Sequence, residues 1–127
     1  MLENEITREN LNKLVVKFYA KVVKDDLIGP MFIDVLGKDM KSETWKVHIQ
    51  LLTNFWAAIA LGDTAYAGSP FAPHVQFSDR LSAVAFERWL QLFSETLNTI
   101  YEPHIAELFH ARGRNIAGNF MRNLNIT

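Results

Sequence analysis

Cysteine is absent from the 127 residues of this chain. That absence excludes disulfides, thiolate nucleophiles, zinc–thiolate and iron–sulfur centres, and any cofactor held or attached through a cysteine sulfur. Metal chemistry must therefore run through histidine, carboxylate, tyrosine or methionine. Histidine itself is scarce: His48, His74, His104 and His110 are all there are. A charge of one sign is missing too, because 13 basic residues against 14 acidic ones leave a formal net charge of -1. Nucleic-acid and membrane-surface partners both need a clustered positive field, so neither is expected. The longest unbroken apolar run, at 55–61, is far too short to span a bilayer. The opening Met1-Leu2-Glu3-Asn4-Glu5 lacks the basic and apolar regions of a secretory signal, and a cytoplasmic location is expected. Also missing are a phosphate-cradling glycine loop, a serine nucleophile elbow and a Walker-type lysine.

What is present is apolar and periodic. Hydrophobic residues make up 49% of the chain and nine are Phe, enough for one domain over 1–127 with a sizeable core. Leu11, Leu14, Val15, Phe18, Tyr19 and Val22 recur at helical spacing and predict a helix over 7–24, with Thr7 as N-cap. Ile28-Gly29-Pro30 breaks it, and a short helical turn carries Met31, Phe32 and Val35. A second helix is expected over 42–61, capped by Ser42, with Trp45, His48, Leu52, Phe55, Trp56 and Ile59 along its apolar stripe. A third runs over 82–101 with Phe86, Trp89, Leu90, Phe93, Leu97 and Ile100 inward. Pro103, well placed at a first helical position, opens the last helix, which buries Ile105, Phe109, Ile116, Phe120 and Leu124. Residues 62–77 form a long loop too aromatic for a linker. No stretch alternates with the period of a strand, so the fold class is all-α.

Few residues in this pattern carry chemistry. His48 lies mid-stripe among Trp45, Leu52, Phe55 and Trp56, either as a boundary histidine bonded to a backbone carbonyl or as a polar group facing a cavity. Tyr19 and Trp89 each read as ordinary core when taken singly. Three inward residues with polar handles on three helices are harder to dismiss, since each handle needs a partner once buried. His74 stands in Pro70-Phe71-Ala72-Pro73-His74-Val75-Gln76-Phe77, where two prolines stiffen the backbone and aromatics flank the ring. A metal ligand needs such aiming, with its other nitrogen held by an acceptor. It competes with a plain loop histidine. His104-x-x-Glu107-x-x-His110 contains the Glu-x-x-His of di-iron bundles, but no second copy exists and no other stripe carries an inward glutamate. A solvated helix face is the better reading there.

These segments, taken in order, resemble a truncated haemoglobin of group III. The resemblance is carried by Phe18-Tyr19, Gly29-Pro30-Met31-Phe32, Trp45-Lys46-Val47-His48, Asn54-Phe55-Trp56, Pro73-His74 and Trp89-Leu90-Gln91-Leu92-Phe93, over about 4–124. The lack of any Gly-Gly pair fits the third group, since the other two carry such pairs at helix corners. The resemblance implies a two-over-two helical sandwich around haem b, with the proximal helix largely replaced by loop. It makes His74 the proximal iron ligand and places Tyr19, His48 and Trp89 on the distal side, facing the gas. Phe32 matches the residue that wedges the ring. Leu52, Phe55 and Trp56 match positions near the haem edge, and Phe71 and Phe93 join the expected haem contacts. Arg80 is a guess for a propionate partner.

Three function classes remain open, two of them implied by the resemblance. The first is reversible binding of O2, CO or NO by a monomer, with Tyr19 and Trp89 donating hydrogen bonds to the ligand. The second is haem enzymology of the NO dioxygenase or peroxidase kind, which in a chain this short needs an external reductase. The third is a cofactor-free helical interaction module whose aromatics are only core.

Overall fold

A computed structural model describes residues 2–61 and 82–123, with the backbone alone for 117, 119–121 and 123. Its described residues form five helices: α1 (Arg8–Val22), α2 (Gly29–Leu36), α3 (Glu43–Leu61), α4 (Ala83–Ile100) and α5 (Pro103–Asn123). The fold class is all-α, as the periodicity implies. The one strand-like feature among these residues is an isolated parallel bridge between Glu3 and Tyr101, where Glu3 N–H donates to Ile100 C=O at 2.8 Å. No helix of the described residues is long and apolar enough to cross a membrane.

The helix starts follow from side-chain chemistry. Thr7 caps α1: its Oγ1 accepts from Asn10 N–H at 3.1 Å while Asn10 Oδ1 accepts from Thr7 N–H at 2.9 Å, a reciprocal box. Ser82 Oγ accepts from Ala85 N–H at 3.1 Å and caps α4. Ser42 Oγ does the same for α3, from Trp45 N–H at 3.4 Å. Pro30 proves to belong to a helix rather than to a break. It stands in the first turn of α2, where a missing N–H costs nothing.

α1 is the central strut. All six of its stripe residues are buried, each contributing roughly 1.5–3 kcal/mol when fully removed from water. It packs against α3 on one side and α4 on the other, while α4 also packs against α5. Asn10 ties the ends together, since its Oδ1 also accepts from Tyr101 Oη at 2.6 Å and its Nδ2 donates to Glu5 C=O at 3.0 Å. On α3 the deepest residues are Trp45, Thr53, Trp56 and Ala57, whereas His48, Leu52, Phe55 and Ile59 are half-buried. The expected stripe is therefore one edge of the buried face. The helix meets α1 along Thr53, whose hydroxyl donates to Ile49 C=O at 2.8 Å and accepts from Asn12 Nδ2 at 3.4 Å. On α4, Leu92 and Thr96 join the expected inward residues. The Phe120 side chain and Leu124 lie outside what is described.

Candidate functional site

Tyr19 is the centre of the site. Its place on the α1 stripe drives it inward, and it is 3% exposed. Four aromatic or heteroaromatic rings surround it. Phe18 lies at 4.9 Å between centroids, His48 at 5.0 Å, and Phe32 and Trp45 at 5.6 Å. The His48 contact is edge-to-face at 81°, so the imidazole of α3 meets the phenol of α1 directly. Trp45, one turn before His48, lies edge-to-face on it as well, at 5.6 Å and 87°.

Burial pushes the Tyr19 hydroxyl well above the ordinary phenol value, and a hydrogen bond with the Trp89 side chain draws it part of the way back. An indole N–H can only donate, so the pull of Trp89 on α4 is that of a donor acting on the Tyr19 oxygen. Behind them stands a stack of rings. Trp89 and Phe93 are parallel at 5.1 Å, and Phe93 and Trp56 are parallel at 5.3 Å. Phe18 closes edge-on against Trp89 at 5.3 Å. Offset-stacked and edge-to-face pairs at such spacings are the favourable ring geometries.

Of the residues singled out in the sequence, Tyr19, Phe32 and His48 come together directly, and Trp89, Phe93 and Trp56 join them through the ring stack. Phe55 reaches Trp56 at 5.5 Å, and Leu52 packs on the same core. His74, Phe71 and Arg80 lie outside the described residues. Along His104-x-x-Glu107-x-x-His110, His104 and Glu107 are exposed and Glu107 pairs with Arg114 at 3.5 Å. His110 is half-buried, and no group of three metal-ligating residues occurs among the described residues.

Two features of the site escaped the sequence. Trp45, fully buried, donates its indole N–H to Gly37 C=O at 2.7 Å. Its spacing of three from His48 was the available signal. Asp25 offered none: its carboxylate accepts from Leu27 N–H and Ile28 N–H at 3.0 Å and from Arg88 Nε at 2.6 Å, a partner 63 positions away. That bond ties the corner between α1 and α2 to the residue preceding Trp89.

The donor chemistry fits a flat apolar group that presents a small polar guest. Leu52, Phe55 and Trp89 offer half-buried apolar surface packed on the core, the Tyr19 and His48 rings meet directly, and the Trp89 indole acts on the Tyr19 hydroxyl.

No family model matches the chain. It is 36% identical over 119 residues to the "Group 3 truncated hemoglobin ctb" of Campylobacter jejuni, an alignment covering 94% of this chain and 91% of that protein. A solved crystal structure of group III truncated haemoglobin from Campylobacter jejuni superimposes with a TM-score of 0.86 at 36% identity, covering 98% of this chain and 95% of that one.

Proposed function

The chain belongs to the group III truncated haemoglobins, and on that premise we propose that it carries haem b on His74 and binds a diatomic gas, O2, NO or CO, beside Tyr19, His48 and Trp89. When bound, the haem iron would supply the binding of such a gas. One observation carries the reading of the distal side: the buried Tyr19 ring sits edge-to-face against the His48 ring, at 5.0 Å between centroids. His74 is supported by its proline-stiffened, aromatic-flanked segment and by the family order of residues.

Tyr19 remains protonated at physiological pH, because burial favours its neutral form. Its own proton is not used in the bond from Trp89, so it is available to a guest. That incoming bond polarises the phenol and strengthens it as a donor. In a dry cavity, a donor aimed at developing negative charge counts for more than it does in water. Phe32 packs on the Tyr19 ring at 5.6 Å and helps to keep water from it, and half-buried His48 would gate the entry of the gas or bind the iron itself. A gas held by such a donor leaves slowly. This favours O2 or NO chemistry over delivery, with an external reductase supplying electrons where turnover is sustained.

Comparing O2 and CO release in Tyr19→Phe tests this reading. A hydrogen bond to a charged group is worth roughly 1.5–3 kcal/mol, so O2 release should quicken about 10- to 150-fold. CO carries little charge on its outer oxygen and should scarcely respond. Equal changes for both gases would mean that Tyr19 only fills space.

A further inference from the structure

We infer that Trp45 is the positioning residue of the distal side: its indole, anchored to the carbonyl of Gly37, holds the Tyr19 and His48 rings where a guest meets them. The inference rests on the distal reading proposed above. Trp45 is fully buried and touches both rings, at 5.6 Å each. Ring contacts constrain tilt but allow sliding, because dispersion is not directional. A directional bond removes that freedom, and Trp45 has one, from Nε1 to Gly37 O at 2.7 Å.

The acceptor is itself fixed. Gly37 ends α2 with φ at +92°, a conformation that L side chains rarely adopt, and this sets where its carbonyl points. α2 also carries Phe32, which packs on Tyr19 at 5.6 Å. The chain of contact therefore runs from the end of α2, through Trp45 on α3, to Tyr19 on α1. A Cβ at Gly37 would meet nothing within 4 Å. An alanine there acts through backbone strain alone and reaches the site only by moving the carbonyl.

The test uses the haem-loaded protein with CO and reads the site by NMR, independently of gas kinetics. The probe is the Overhauser contact between the Tyr19 and His48 rings, which lie 5.0 Å apart between centroids. Trp45→Phe keeps a ring but removes the anchor. It should weaken that contact and quicken O2 release about two- to tenfold, the worth of one ordinary hydrogen bond, with CO release unchanged. Gly37→Ala should give a smaller change of the same kind, and the double variant should match Trp45→Phe alone, because both act through one bond. Should Trp45→Phe fail to fold, Gly37→Ala still decides the matter through the same contact. An intact Overhauser contact with unchanged O2 release, or effects of the two variants that multiply, would overturn the inference. Tyr19→Phe, run alongside, separates the two levels. If it quickens O2 release while Trp45→Phe does not, Trp45 loses its role and the distal reading stands; if Tyr19→Phe changes nothing, both fall.

Discussion

Because an indole can donate but never accept, the pull of Trp89 on the Tyr19 hydroxyl has one direction, from the indole N–H to the phenol oxygen. On the proposed distal reading the two residues would act on a guest in series, with Tyr19 the nearer. Trp89→Phe should quicken O2 release about two- to tenfold, less than Tyr19→Phe, since it costs an ordinary hydrogen bond rather than one to a charged group. Adding it to Tyr19→Phe should change little more, because its acceptor is already gone. Stopped-flow release rates for the two single variants and the double one check this. Full additivity would mean that Trp89 donates to the gas independently.

Helix corners hold the site together, and their chemistry is separable from the pocket. Burial pulls the Asp25 carboxyl upward, but Ile28 N–H, the Arg88 guanidinium and Leu27 N–H together hold it below the usual carboxylate value. A lowered folded value means stability that is present above the unfolded pKa of about 3.9 and lost as pH falls through the folded one. Asp25→Asn should therefore lower stability by about 1–2 kcal/mol near neutrality and flatten its acid dependence, as denaturant titrations at pH 7 and pH 3 would show. An unchanged gap between the two pH values would contradict the account. At the same corner, a Cβ on Gly29 would meet Val22 O at 2.8 Å and Val23 O at 3.0 Å, both backbone atoms that cannot swing away. Gly29→Ala should cost about 1–3 kcal/mol by the same titration. Near-wild-type stability would show that the corner can shift.

The elements were legible in the sequence to the extent that periodicity marks burial. α1 could be read almost residue by residue, because one unbroken face is buried between two neighbours. On α3 the stripe was displaced, because the buried face takes in Thr53, a polar residue that an apolar pattern passes over, and the small Ala57 beside Trp45 and Trp56. Tyr19, Phe32 and His48 were legible as inward residues and do meet. The Asp25–Arg88 and Trp45–Gly37 bonds were not, since each joins a side chain to a partner that only the folded corners bring near. Pairing of this kind leaves no local pattern.

At the scale of the whole molecule, a chain of 127 residues with no cysteine and four histidines has few ways to hold iron, and the proposed function gives that duty to His74. Haem titration followed by absorption spectroscopy tests it most directly, on the parent chain and on His74→Gly. The parent should bind one haem per chain, with an intense Soret band. The variant should lose haem or bind it with altered spectra, and added imidazole should restore the parent spectrum. A variant that keeps the parent spectrum and retains haem without imidazole would contradict the account.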